Sequence, residues 1–487
     1  MRILTLAHPG TNSRGLLLDL EAGFAALGHD LLRFELAPFW RAAAGDAARD
    51  ATAKQLLAET LLAFIDANRV DLSFAMWANG PLSMPVHPSA PDRVQSLFAR
   101  ARHRHLHFWW DAPHWQNNGA MLPLLRTGLF DAPTAFHAIN NRYTGAEMAD
   151  ILGFSNVIPA ANAANPALFR PCPDVAEAYD LVFVSGGGDP APTPLMLAEL
   201  QRDTPDVDAI RRNCAAELAP TLDALAAQFP SDHRAAARRL FDALVAARLA
   251  ARHTPALLHL QQVARSQRDL ATVAALLLKD PVAYVRVTAA IRQIEAWERP
   301  FTVAYLSRRF RCLRIGAQDY SAWGLAGDAV AAVPYAEQAR LYAQARVALN
   351  VMRWQDDCSL NSKIFEITAA GRPCLQAWRG GVDELFADGR EIVTFRSPAE
   401  AADQLADLLA NPGRRAELAA AGRARTLRDH TWQQRGAQLL DAITAATAAR
   451  ERSATAQPRE SAAPAHTLAS ATAAVSTRST ARASLTH

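Results

Sequence analysis

The sequence predicts an α/β protein of two parallel sheets facing each other across a cleft, with an α-helical insertion in its second half and a disordered C-terminal tail. Three observations carry that reading. Short apolar segments alternate with helical periodicity over residues 1–170, and the alternation resumes at 179 and ends near 446. Buried strands alternating with helices form parallel sheets, which take ligands at the carboxyl ends of their strands. Residues 192–298 break the alternation with an Ala-, Leu- and Arg-rich composition at helical spacing. From residue 451 the chain is mostly Ala, Ser, Thr and Arg, with too little apolar bulk to offset its ordering entropy. A chain of 487 residues exceeds what one core supports, so two domains are expected, over 1–170 and 174–450.

In chain order, strands are expected at 3–7, 31–36, 72–77, 105–110 and 135–139, with helical periodicity clearest at 16–27 and 53–68. The loop after the first strand carries His8. The strand at 105–110 runs into Asp111-Ala112-Pro113-His114, which puts an acid and an imidazole just past a strand end. Asp111, His114 and His8 are the candidates to accept a proton from an attacking group, work that wants a tuned side chain within hydrogen-bond reach. Trp109, Trp110 and Trp115 read as core or wall residues.

The second half opens with a strand at 179–184 that enters Ser185-Gly186-Gly187-Gly188. Glycines there allow backbone N–H groups to approach a phosphate, and an ordinary turn explains them equally well. The insertion at 192–298 is punctuated by Pro220, Pro230, Pro255 and Pro281. It serves acceptor or partner recognition, or is a plain packed subdomain. The Asp206-Val207-Asp208 triplet inside it reads as a solvated turn rather than a cation site. A helix and a strand at 312–315 then restore the alternation.

The most informative stretch follows. A strand ends at about Val351, a polar loop reaches Asn361, and a short helix starts at Ser362 and closes at Gly371 and Pro373. Asn361 or Ser362 can cap that helix, and Gly371 supplies the left-handed residue that ends it. Unpaired N–H groups at the helix start, with the charge of Lys363, suit a diphosphate. Glu366, one turn on, is either an ordinary helix residue or a carboxylate projecting toward the cleft, where it can accept both hydroxyls of a ribose. A further strand at 374–378 runs into Gly380 and Gly381.

Composition excludes more than it selects. Lys+Arg 51 against Asp+Glu 48 gives a net charge of +3, without the basic stripe that nucleic-acid binding needs. Five scattered cysteines without a CxxC pair argue against a disulfide framework and a zinc site. No apolar run approaches the roughly 18 residues of a membrane span, and the start lacks the apolar region and cleavage site of a signal peptide. A cytoplasmic location is expected.

Residues 300–443 resemble the C-terminal domain of the CgeB-like glycosyltransferases of the GT-B superfamily. The resemblance lies in Pro334-Tyr335, in Tyr342-Ala343-Gln344-Ala345-Arg346 before Leu349-Asn350, and in Asn361-Ser362-Lys363-Ile364-Phe365-Glu366. It continues in Ala370-Gly371-Arg372-Pro373, Glu384-Leu385-Phe386, Gly389-Arg390-Glu391-Ile392-Val393, and His430-Thr431-Trp432 before Arg435. The Val157 to Asn162 segment resembles the GT-B hinge crossing. The resemblance implies two Rossmann-like domains: 1–170 on the acceptor side and 174–450 holding a nucleotide sugar. It places the base against Val333, Pro334 and Tyr335, the ribose on Glu366, and the diphosphate at Asn361, Ser362 and Lys363. Gly186, Gly187, Gly188, Gly380 and Gly381 complete the implied donor site.

Two departures stand out. The broader families carry a Glu eight residues before the one at 366, and here that position is Cys358. Lys363 replaces the usual Arg, keeping the charge without the bidentate fork. No strand-end D-x-D exists, so the implied reaction is metal-independent sugar transfer to an unknown glycan, protein or small-molecule acceptor, with no cofactor beyond the donor. A sugar-nucleotide epimerase on the same fold and a non-catalytic sugar-nucleotide-binding scaffold are the alternatives.

Overall fold

The computed structural model describes residues 1–7, 11–42, 47–77, 83–87, 90–113, 121–355 and 357–456. His8, His114 and Trp115 lie outside the described residues. Residues 1–443 form one compact unit and 444–487 a second, which contributes the end of the last helix, Trp432–Ala456. That helix passes the expected start of the tail at 451, and 457–487 lie outside the description.

Fourteen strands are described: β1 (Arg2–Ala7), β2 (Asp30–Glu35), β3 (Leu72–Met76), β4 (Ser83–His87), β5 (Ala90–Ser96), β6 (His105–Trp109) and β7 (Ala135–Ile139). They continue with β8 (Val157–Pro159), β9 (Tyr179–Ser185), β10 (Cys312–Gly316), β11 (Ala329–Val330), β12 (Ala345–Asn350), β13 (Cys374–Ala377) and β14 (Val393–Phe395). The first sheet has the order β2-β1-β3-β6-β7-β8 and the second β11-β10-β9-β12-β13-β14, every pairing parallel. In both, the chain starts in the interior and reverses direction across the sheet, which leaves a crevice at the carboxyl ends of the central strands. The antiparallel β4–β5 hairpin stands apart.

β3, β6 and β7 are buried along their whole length, as strands covered by helices on both faces must be. Four histidines occupy this core. Ser73 Oγ lies 2.7 Å from His105 Nδ1 and 3.1 Å from His103 Nε2, and the rings of His107 and His137 stack at 4.8 Å. Burial holds all four below the usual imidazole range, with His103 and His107 each lowered to about 4. They are core residues kept neutral, and none faces the crevice as a ligand set.

The insertion is helical as expected, with helices at Val207–Glu217, Ala219–Ala226, Arg234–Ala250, Ala256–Ser266, Ala271–Lys279 and Pro281–Arg292. Pro220 and Pro281 sit in first turns, where the missing N–H costs nothing. Asp206 caps the first of these helices by accepting from Ala209 N at 2.8 Å, and Asp208 pairs with Arg211. The insertion does not stand alone. Its Leu222, Phe229 and Phe241 share one core with Trp109, Phe130 and Phe154 of the first-sheet side.

Behind that core lies a buried ionic network. Arg292 reaches Glu147 at 3.0 Å on the first-sheet side and Asp357 at 3.0 Å in the loop after β12. Arg248 also holds Asp357 at 2.7 Å, while Arg211 pairs with Glu295 at 3.0 Å. Burial would raise Asp357, and Arg248 and Arg292 outweigh it, leaving the carboxyl well below its usual range. Removing one partner from such a network strands the others in low dielectric, which costs about 3–5 kcal/mol.

Candidate active site

β9 and β10 end side by side, and their loops converge on the start of the helix Lys363–Ala369. A cavity of about 240 Å³ lies there, bounded by Gly186, Gly316, Val333, Tyr335, Ser362 and Lys363. Leu16, from the first helix, Thr11–Ala26, closes it from the other side. Gly316 is what permits the approach: at φ +133° a Cβ would stand 1.7 Å from the carbonyl oxygen of Ser185. No other residue fits between the two strand ends.

The loop after β12 is organised by side-chain amides. Asn350 Nδ2 donates to Asn361 Oδ1 at 3.0 Å and to Gln376 Oε1 at 2.8 Å, and Asn361 Oδ1 accepts the Lys363 amide at 3.2 Å. Asn361 therefore caps the turn, whereas Ser362 makes no side-chain cap bond. Lys363 Nζ donates to Gln338 Oε1 at 2.7 Å and to Glu366 Oε2 at 3.1 Å.

Glu366 does not open on the crevice. It is 0% exposed and accepts from Tyr335 Oη at 3.2 Å and Tyr342 Oη at 3.3 Å. The reason is that Tyr335 turns inward, against Gly15 of the first helix, where a Cβ would come within 2.8 Å of its ring. The same phenol lies 2.8 Å from Asp19, which Asn165 also contacts at 2.8 Å. One phenolic proton cannot serve two carboxylates. Burial raises Asp19 to about 7, so a proton on Asp19 lets that carboxyl donate to the phenol while the phenol donates to Glu366.

Two predicted glycine groups separate. Gly186 lines the cavity, and Gly187 gives its carbonyl oxygen to the guanidinium of Arg353. Gly188, at φ +93°, lies near the same guanidinium. Gly380 packs on Cys358, a Cβ there falling 2.9 Å from the sulfur, and Gly381 lines a different cavity. Pro334 is exposed and lines neither. Cys358 is buried, its thiol donating to the carbonyl oxygen of His253 in the insertion at 3.4 Å.

From the first sheet, Asp111 follows β6 at the carboxyl end and is partly buried. Burial raises its pKa and the charge of Arg353 opposes the rise, so the two side chains feel each other across the crevice. Sequence reasoning passed over Arg353. A lone Arg in a polar loop carries no signal until the fold sets it between the glycine turn and an acid. Asp19 was hidden in the same way, inside an unremarked helical repeat.

Residues 290–441 match the family described as glycosyl transferase-like. Residues 290–441 are a glycosyl transferase-like domain, and the two parallel six-stranded sheets have the GT-B fold. A sucrose-phosphate synthase from Thermosynechococcus elongatus has a similar structure, at 11% identity and a TM-score of 0.50, over 92% of this chain and 99% of that one. Anabaena HepE in complex with UDP and glucose aligns at 13% identity and a TM-score of 0.44, over 91% of this chain and 100% of that one. T4 phage BGT in complex with UDP and Mn2+ aligns at 11% and 0.43, over 92% and 99%. No curated protein matches the chain. The matched region of the glycosyltransferase contains β10 to β14, the loop of Arg353 and the helix of Lys363, so the family match and the cavity fall on the same sheet. Among the described residues no helix is long and apolar enough to cross a membrane, and no group of three or more His, Cys, Asp or Glu is placed to hold a metal ion.

Proposed function

We propose that this glycosyltransferase is of the CgeB-like kind and moves a sugar from a nucleotide-sugar donor on the second sheet to an acceptor held against the first, without a metal ion. The observation that carries the proposal is the convergence of Gly186, Gly316, Tyr335 and Lys363 on one cavity, with Arg353 at its glycine turn. Residues 174–450 act as the donor domain and 1–170 as the acceptor domain. Lys363, Arg353 and the glycine-turn amides stabilise the charge that develops on the departing diphosphate, as fixed donors do in a water-poor site. The acceptor hydroxyl attacks the anomeric carbon, the bond from that carbon to the diphosphate oxygen breaks, and Asp111 takes the hydroxyl proton. Its raised pKa and its place at the end of β6 fit it for that work.

The test is thermal stabilisation of the full chain by a panel of nucleotide sugars. A donor at a hundred times its Kd adds about 2.7 kcal/mol to stability. If no nucleotide or nucleotide sugar raises the melting temperature, the donor reading fails. Turnover that survives exhaustive EDTA treatment supports the metal-free route, and activity lost to EDTA and restored by manganese defeats it.

A further inference from the structure

A second cavity, of about 320 Å³, is lined by Cys358 and Leu360, a few residues before the Ser362 and Lys363 that line the first. Asn140, Asn141 and Arg142 bound it from the first sheet, Gly381 from the second, and Arg435 and Gln438 from the last helix. Asn140 Nδ2 donates to the carbonyl oxygen of Trp110 at 3.3 Å, which places the cavity next to the proposed base, Asp111.

The cavity holds a buried cation without an anion. Arg435 is 8% exposed; its guanidinium donates to the amide oxygen of Gln438, and its Nε is buried with no hydrogen-bond partner. No carboxylate among the described residues pairs with it. Burial lowers its pKa to about 10, the direction expected of a guanidinium whose charge is uncompensated. The helix Arg142–Asp150 also starts on this cavity, with Asn141 capping the Thr144 amide at 2.8 Å and the first amides left for an occupant. Arg142 lines it too, and the one lining acid, Glu384, is spent on Arg142 at 2.8 Å. The lining thus carries one net positive charge, concentrated on the more buried of its two arginines.

We infer that this cavity binds an oxyanion, a carboxylate or phosphate group carried by the acceptor, with Arg435 as its principal ligand. The inference deepens the transfer reaction proposed above and rests on it for the word acceptor. The anion site itself rests only on the cavity, on Arg435 and on the helix start. An acidic acceptor anchored here would present a hydroxyl near Asp111 while the donor occupies the first cavity.

The experiment is calorimetric titration of the full-length protein with inorganic phosphate and, separately, with acetate. The variants are Gln438→Glu, which supplies Arg435 with an internal carboxylate, Arg435→Gln, and Lys363→Ala in the donor cavity. Saturable binding is expected in the wild type and in Lys363→Ala, and at least tenfold weaker binding in Gln438→Glu and Arg435→Gln. Gln438→Glu should also melt at a higher temperature than the wild type, so its loss of binding cannot be a loss of fold. Phosphate binding alone points to a phosphorylated acceptor, and acetate binding to a carboxylated one. Equal affinity in the wild type and Gln438→Glu, or loss in Lys363→Ala instead, overturns the assignment. A nucleotide sugar titrated into the same proteins reports separately on the donor site. If it fails in all of them while phosphate behaves as expected, the transfer reading falls and the anion site stands.

Discussion

Replacing Glu366 separates a carboxylate that faces the crevice from one that holds the core. In the structure Glu366 has no exposed surface and receives Tyr335, Tyr342 and Lys363. In Glu366→Ala, Tyr335 still reaches Asp19 and Lys363 still reaches Gln338, so the group left stranded is the Tyr342 hydroxyl. One unsatisfied buried hydroxyl costs about 1–3 kcal/mol, and losing the carboxylate partner of Lys363 together with the volume of the side chain adds a similar amount. The expected loss is about 2–6 kcal/mol, read as a lower urea midpoint at unchanged slope. Glu366→Gln keeps the volume and one acceptor for the phenols, so it should cost about 1–2 kcal/mol. If Glu366→Ala unfolds within 0.5 kcal/mol of the wild type, roughly the scatter of a neutral surface change, the carboxylate is solvated and the inward network does not form.

Three further outcomes follow from the geometry. Asp111→Asn should leave nucleotide-sugar affinity near normal by calorimetry and slow transfer by about a hundred- to ten-thousandfold, the usual worth of a general base; unchanged turnover moves the base elsewhere. Arg292→Met should lower stability by about 3–5 kcal/mol in urea unfolding, because Glu147 and Asp357 are left buried without it, and a neutral result would show that the network is hydrated. Stability should also fall on acidification. His103 and His107 titrate at about 4 folded against 6.5 unfolded, so the unfolded chain binds protons first and each costs about 2 kcal/mol between pH 7 and pH 5. His105 and His137 act in the same direction. Asp19, raised to about 7, takes up its proton in the folded state and returns about 2 kcal/mol over the same range, too little to reverse the trend. A melting temperature that rises from pH 7 to pH 5 would refute the burial of the histidines.

The strands were legible because their signal is local. Apolar runs at 72–77, 105–110 and 135–139 become β3, β6 and β7 within a residue, and the turn at Gly371 adopts φ +71° as its place before Pro373 requires. The hairpin β4–β5 was not legible, since Pro85 and Pro91 demote its segments as strands. Gly316 gave no sign either: its need for glycine comes from a strand that leaves the chain more than a hundred residues earlier. Tyr335 and Glu366 were both expected in the donor site, yet their orientation depends on Gly15 and Asp19, which no local pattern connects to them. The same holds for the insertion's arginines. Whether an Arg is buried depends on an acid found only in the folded chain, as with Arg292 and Glu147, separated by 145 positions.

The long insertion holds the chain at the position of the missing first glutamate. Asp357 stands one residue before Cys358 and is held by Arg248, Arg292 and the amide of Ala256, all from the insertion. The thiol of Cys358 turns to the His253 carbonyl, and Gly380 lies against its sulfur, where a Cβ at 380 would fall 2.9 Å away. The segment that leads into the helix Lys363–Ala369 is thus fixed from behind by the insertion instead of lying free in the crevice. Through Arg292 the same insertion holds Glu147 on the first-sheet side, so one guanidinium ties both sides of the crevice to the loop that precedes Lys363. Any opening of the crevice that parts Glu147 from Asp357 must break a buried, charge-assisted contact, which makes Arg292 the residue through which the first-sheet side and the loop before Lys363 are mechanically linked.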